Sequence, residues 1–369
     1  MDPKTLKQMI ELLAPTPEQE RRGLTRLLQE ERNGHPMRHL KKTVVVGVVA
    51  ALMLVTCATA AVVIGIDQRL IDFLGGGEQA QELLAPGAQP VDVTTEDNGA
   101  SLHVTQVLMD RYTILILSDF TAPKGTVLDM AEDINGDLLR GFSGMDGSLP
   151  SLLDSAGEPI DLGQDWSYYV NVLDDGDPLD NHLTLLSRME LSEGIQPDWD
   201  IQELSMPAVD LIRFDPEVED IVTVYSGDWS CQFPVSWQDM GRSMQMNQMV
   251  GQVDDVNIAV TNIYLSPMTL QLQLERETPV PLHSPEAVGG AFGRWVSALN
   301  VDGVTLTTKD GQTVPLTGMG NTGSDRELNC SFLLNEITDL AQLQTLTLRI
   351  GESSIDIPLD GFADEMIKP

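Results

Sequence analysis

The chain has 369 residues, of which 22 are basic and 56 acidic, so its formal net charge is −34. This length allows two or three domains, and an apolar share of 42% is ordinary for folded protein. The acidic balance excludes nucleic acid and anionic lipid surfaces as partners of most of the chain, because like charges repel.

The first 42 residues differ from the rest of the chain in charge. They hold nine basic and six acidic residues, whereas the remaining chain holds 13 basic and 50 acidic residues. Basic residues on one side of an apolar segment are typical of the cytoplasmic side of a membrane protein. We therefore expect a cytoplasmic tail over residues 1–42.

Two short amphipathic helices are predicted in this tail. The first ends at Pro15, and the second begins at the capping sequence TPEQ (16–19) and ends at Gly34. Helices of this size make no core of their own, so either the tail only fixes the topology or its apolar stripes dock on a partner. The candidate partner-binding residues follow helical spacing: Leu6, Met9, Ile10, Leu13, Leu24, Leu27 and Leu28.

An uncharged apolar run of 23 residues follows the tail, at 44–66. A helix of that length spans roughly 35 Å, enough for a ~30 Å hydrocarbon core. Lys41 and Lys42 precede the run and Asp67 follows it, so the N-terminus is predicted to be cytoplasmic. A cleaved signal peptide has a shorter apolar run and a lipoprotein signal fits poorly, so a single-pass anchor over 43–66 is favoured over both.

The remaining chain is predicted to be mainly β and extracellular. Residues 67–90 combine a short helix with a segment rich in Gly, Pro, Gln and Ala, which is typical of a stalk. Beyond residue 90, short alternating or β-branched runs are separated by turn residues, and no long helical pattern divides them. This pattern predicts two tandem immunoglobulin-like β-sandwiches, over 91–236 and 237–369.

An internal repeat supports two related domains. The stretch LHVTQVLMDRYTILIL (102–117) aligns without gaps with IAVTNIYLSPMTLQLQ (258–273), at an offset of 156 residues. Each copy predicts a strand, a turn and a returning strand. Two further pairs of stretches occur in the same order: DSAGEPIDL with TKDGQTVPL, and NHLTLLSRMEL with LNCSFLLNEI.

The cysteines and methionines of this part predict core positions. Cys231 and Cys330 each alternate with apolar neighbours, so we expect them in separate cores, although a disulfide between them is also open. MQMNQM (244–249) is either a Met-rich binding surface or a strand, and its alternation favours a strand that opens the second domain.

No motif predicts catalysis, so we expect a protein that is not an enzyme and has no cofactor. The run GFSGM (141–145) lacks the spacing of a nucleophile elbow, no phosphate-binding loop follows a strand, and no Cys/His cluster predicts a metal site. Acidic turns at 133–137 and 174–177 leave Ca²⁺ binding open beside the simpler interpretation of solvated turns.

Taken in order, these features resemble a protein family. TPEQERRGLTRLLQEER in the tail, EDNGASLHVTQVLMD and SGDWSCQFPV resemble the anti-sigma-factor-like single-pass membrane proteins of Gram-positive clostridia and bacilli. The resemblance implies an extracellular domain of unknown function, a second immunoglobulin-like domain, and a tail that holds an extracytoplasmic-function sigma factor at the membrane until an unknown outer ligand or protein signals. The alternative is a cell-envelope adhesion or structural protein with no cytoplasmic partner.

Overall fold

The computed structural model describes residues 65–77, 79–128, 140–143, 149–162, 166–173, 181–215, 220–279 and 303–359. They belong to one compact unit of the chain and are mainly β, with twenty strands in five antiparallel sheets. The predicted tail (1–42) and the predicted anchor (43–66), except for its last two residues, lie outside them. Among the described residues, no helix has the length and apolarity needed to cross a membrane.

Two short helices precede the first strand: α1 (Gln68–Phe73) and α2 (Ala80–Leu84). Asp67 caps α1 by accepting a hydrogen bond from the backbone N–H of Arg69 at 2.9 Å. Gly75, with φ +65°, ends the helix in the left-handed conformation, and the N–H of Gly76 donates to the carbonyl of Ile71 at 2.8 Å. This C-cap is a Schellman motif, which favours glycine at the left-handed position.

Strands β1–β11 form the first lobe. Sheet 1 has the order β1-β2-β3-β7-β6, sheet 2 the order β10-β9-β4 and sheet 3 the order β11-β8-β5. Every described pairing is antiparallel. The strand bounds are β1 (Ala88–Asp97), β2 (Ala100–Met109), β3 (Thr113–Thr121), β4 (Arg140–Ser143), β5 (Ser151–Leu153), β6 (Trp166–Leu173), β7 (His182–Leu191), β8 (Glu203–Met206), β9 (Val209–Asp215), β10 (Asp220–Asp228) and β11 (Cys231–Pro234).

Trp229 lies at the centre of an aromatic cluster in the core of this lobe. It is fully buried, its ring meets that of Phe120 edge-on with centroids 4.8 Å apart, and its Nε1–H donates to the carbonyls of Asp97 and Ala100 at 3.2 Å. A Cβ at Gly227 would lie 2.6 Å from the Trp229 ring. Gly227 and Trp229, two residues that carry the family resemblance, therefore close the core by joining β10 and β11 to the β1–β2 hairpin.

Strands β12–β20 form the second lobe. Sheet 4 has the order β12-β13-β14-β18-β17 and sheet 5 the order β16-β15-β19-β20. Met244 and Met246 pack against the core from β12, so the prediction that MQMNQM forms a strand is confirmed. The strand bounds are β12 (Arg242–Val253), β13 (Val256–Leu265), β14 (Thr269–Arg276), β15 (Val304–Thr308), β16 (Thr313–Val314), β17 (Leu316–Gly323), β18 (Glu327–Leu334), β19 (Leu343–Ile350) and β20 (Ser353–Pro358).

The internal repeat is confirmed as a structural repeat. The bounds of β13 are those of β2 shifted by 156 residues, and β7 and β18 hold the same place in sheets 1 and 4. Even the irregularities correspond, because the register shifts between Val104 and Gln106 and again between Val260 and Asn262. Each repeat therefore specifies one bulged hairpin at the same position of a five-stranded sheet.

The two described cysteines lie in separate cores, as predicted. Cys231 packs in the first lobe and Cys330 in the second, and both thiols are free and buried. Burial raises the pKa of Cys231 to about 11 and that of Cys330 to about 12, so both remain protonated and act as small apolar groups.

Candidate functional site

The sequence-predicted partner residues all lie outside the described residues: Leu6, Met9, Ile10, Leu13, Leu24, Leu27 and Leu28. The acidic turns at 133–137 and 174–177 lie outside them as well. Within the described part, no group of three His, Cys, Asp or Glu side chains could hold a metal ion. The candidate site that the structure offers is the place where residues 65–87, here called the N-terminal segment, meet both lobes.

The N-terminal segment covers the outer face of sheet 1. Leu70, Leu74 and Leu84 are fully buried, although a stalk was expected over part of 67–90. They share one apolar cluster with sheet-1 residues and with two residues of the second lobe: Leu108, Leu115, Leu117, Leu186, Met268 and Leu333. Removal of this apolar surface from water, worth about 25 cal/mol per Å², is what fixes the segment in place.

An ionic network anchors α1 to the first lobe. The Arg69 guanidinium donates to Asp119 on β3 at 2.6 Å and to Thr184 on β7 at 3.0 Å, and it also pairs with Asp67 at 2.9 Å. The hydrogen bond from Arg69 lowers the pKa of Asp67, while the bond to Asp67 raises the pKa of Arg69. His182 Nε2 lies 3.6 Å from Asp119, so β3 and β7 both face the guanidinium with polar groups.

The first described residues are held on both sides. The N–H of Ile66 donates to Gln81 Oε1 at 2.7 Å, and Gln81 Nε2 donates back to the Ile66 carbonyl at 2.7 Å. The N–H of Asp67 donates to Gln106 Oε1, also at 2.7 Å. Ile66 ends the predicted membrane anchor, so the chain would leave the anchor directly into these contacts.

Two glycines bring the segment against the second lobe. A Cβ at Gly75 would lie 1.9 Å from the carbonyl oxygen of Asn335, and a Cβ at Gly76 would lie 2.5 Å from Ile337 Cδ1. Gly77, next in the chain, has no atom within 4 Å of such a Cβ. The glycine run that predicted a loose stalk thus contains two positions where only glycine permits the approach.

Where the two lobes meet directly, residues at equivalent positions of the internal repeat contact each other. Ser266 Oγ donates to Asp110 Oδ2 at 2.6 Å, and the hydroxyls of Thr113 and Thr269 lie 3.1 Å apart. All four residues are fully buried, and both pairs are 156 positions apart. The Asp110 carboxylate also accepts two backbone N–H groups of its own turn, but burial still raises its pKa to about 6.

Two open cavities flank the N-terminal segment. One of about 600 Å³ lies beside Ile66, Gln81 and Gln106. The other, of about 460 Å³, lies between Gln79 and the second lobe near Asp310. Thr308 and Asp310, which are hydrogen-bonded to each other, line the second cavity, whereas the first is lined mainly by apolar and amide groups.

Comparison with known proteins leaves the family open. No protein-family model matches the chain, and no curated protein matches it. Among solved structures, it is similar to the conserved domain protein from Bacillus anthracis, with 12% sequence identity over 78% of this chain and 95% of that one. The TM-score of that superposition is 0.44.

The docking of the N-terminal segment was missed by sequence reasoning, although a signal for it exists. In the first repeat, ILIL (114–117) is apolar at every position, whereas the second repeat has LQLQ (270–273). A run that is apolar at every position predicts a strand buried on both faces. At these positions the first lobe has an apolar outer face where the second has Gln271 and Gln273, and the segment covers this apolar face.

Proposed function

We propose that this protein is a single-pass membrane regulator whose tail binds an extracytoplasmic-function sigma factor in the cytoplasm. Its two lobes are then tandem immunoglobulin-like β-sandwiches outside the cell, and residues 43–66 are the anchor between them. The basic, amphipathic tail, the uncharged run and the acidic remainder support this arrangement, as does the resemblance to anti-sigma-factor-like proteins.

The observation that carries a regulatory role is the docking of the N-terminal segment on both lobes. A flexible stalk would absorb a change in the lobes before it reached the membrane. Here Ile66 and Asp67 are hydrogen-bonded to Gln81 and Gln106. A ligand or a force that moves the lobes would therefore also move the end of the proposed anchor.

Co-purification from membranes tests the proposal. We expect the full-length chain to retain a sigma factor, because apolar stripes of this kind bind in a groove of their partner. Replacement of the seven predicted contact residues by Ser should reduce the retained sigma factor at least about tenfold. The matched control replaces seven polar tail residues outside the capping sequence by Ser and should retain it: Gln8, Glu11, Glu20, Gln29, Glu30, Glu31 and Asn33.

Two results would count against sigma binding. One is the recovery of no sigma factor with the unmodified chain, and the other is full retention by the variant with seven Ser substitutions. The adhesion alternative makes a different prediction, since deletion of residues 1–35 would then alter attachment at the cell surface and leave transcription unchanged.

A further inference from the structure

Different residues of the N-terminal segment contact each lobe. On the first lobe, Arg69 contacts Asp119 and Thr184. On the second lobe, Gly75 lies against the backbone of Asn335, and Gly76 against Ile337. Fewer than ten residues of chain therefore span the two lobes, and Asn335 and Ile337 directly follow β18.

The direct contact between the lobes is built from the turns of the two equivalent hairpins and the strand ends beside them. It includes the Asp110–Ser266 and Thr113–Thr269 pairs and the edge-on rings of Tyr112 and Tyr264, whose centroids lie 4.8 Å apart. This junction pairs equivalent positions of the two repeat-related hairpins. The N-terminal segment packs on the edge of this junction through Met268 and adds contacts to the second lobe at Asn335 and Ile337.

We propose that the N-terminal segment is a strut that sets the angle between the two lobes, so that its docking and the lobe arrangement form one equilibrium. Each set of contacts needs the other, because the segment reaches Asn335 only while α1 is seated on sheet 1. Linkage then requires that docking of either end strengthens the docking of the other end by the same factor. The physiological use of the strut, a signal passed to the tail, rests on the proposed function.

Undocking must be cooperative for this device to switch. The segment covers Leu108, Leu115, Leu117 and Leu186, while Met268 and Leu333 of the second lobe pack in the same cluster. If the second lobe moved away, the cluster would lose part of its cover and α1 would lose support. A six-residue helix is not stable alone in water, so partial docking is disfavoured and the strut is either seated or released.

Adjacent glycines provide the test. In full-length protein in lipid nanodiscs, spin labels at Glu96→Cys and Arg349→Cys, both on exposed residues of different lobes, report the distance between the lobes in a Cys57→Ser background. Gly75→Ala would place a Cβ against Asn335 at a φ of +65°. We expect it to add a second distance population and to speed amide exchange of residues 70–76 at least about tenfold. Gly77→Ala, whose Cβ meets nothing, should change neither.

Arg69→Gln tests the reciprocal effect from the first lobe. This substitution should produce the same second distance population as Gly75→Ala, although the described ionic network of Arg69 includes no residue of the second lobe. An unchanged distance distribution in both variants would overturn the strut, and so would faster exchange without any change in distance. Sigma-factor retention is measured separately. A result that contradicts the strut therefore does not decide whether the tail binds a sigma factor, and a negative tail experiment does not decide whether the strut exists.

Discussion

Leu117→Gln is expected to lower the free energy of unfolding of the first lobe by about 3–5 kcal/mol. Leu117 is fully buried in the cluster under the N-terminal segment. The substitution removes its apolar contacts, which costs about 1.5–3 kcal/mol, and buries an amide without partners, which costs about 1–3 kcal/mol. Urea unfolding of full-length protein in detergent, followed by the fluorescence of its tryptophans, measures the loss.

The repeat supplies the matched control for this substitution. Gln273 occupies the position of Leu117 in the second lobe and is half-buried on the outer face of sheet 4. Gln273→Leu should change stability by less than about 1 kcal/mol, because the side chain at this position stays partly in water. If Leu117→Gln lowered the free energy of unfolding by less than about 1 kcal/mol, the outer face of sheet 1 would be exposed to water, contrary to the packing described.

Asp110→Asn is expected to remove a pH dependence from the stability of the lobe junction. The folded pKa of Asp110 is about 6, against about 3.9 in an unfolded chain. The folded state therefore holds a proton that the unfolded state has lost between these two values. This higher proton affinity stabilises the folded state fully below about pH 4. As the pH rises through 6 the stabilisation disappears, and the free energy of unfolding falls by about 3 kcal/mol.

The measurement is the difference in unfolding free energy between wild type and Asp110→Asn at several pH values. The variant should gain about 3 kcal/mol on wild type between pH 4 and pH 7. Ser266→Ala removes a hydrogen bond that lowers the pKa of Asp110. In this variant the fall in unfolding free energy with rising pH should therefore extend to higher pH than in wild type. A difference that does not vary with pH would show that Asp110 is solvated in the folded protein.

The strands and their repeat could be predicted because their signals are local. The strand, turn and returning strand predicted over 102–117 are observed as β2 and β3. The offset of 156 residues placed β13 and β14, and even the bulged Thr105 and Thr261 correspond, each donating its hydroxyl to the facing strand at 3.2 Å. These features depend only on neighbours in sequence and on the turn chemistry between them.

The N-terminal segment could not be placed in the same way, since its role depends on distant residues. Composition over 67–90 favours a stalk, because Gly, Pro and Gln occur together with little periodicity. Two distant features override composition: an apolar face 24 or more residues further along the chain, and a carbonyl at Asn335 that leaves room only for Gly75. The resemblance to anti-sigma-factor-like proteins did not predict this docking. Two of the residues that carry it, Gly227 and Trp229, lie in the core of the first lobe and not under the segment.

Amide hydrogen exchange of the N-terminal segment tests the central claim most directly. The N–H groups of Leu74 and Gly76 donate to Leu70 and Ile71 at 3.0 and 2.8 Å, in a helix too short to persist unless it is docked. In full-length protein in nanodiscs, we predict that both amides exchange at least about 1,000-fold more slowly than in an unstructured peptide. Exchange of both at the unstructured rate would contradict the account, because residues 65–87 would then be a free stalk.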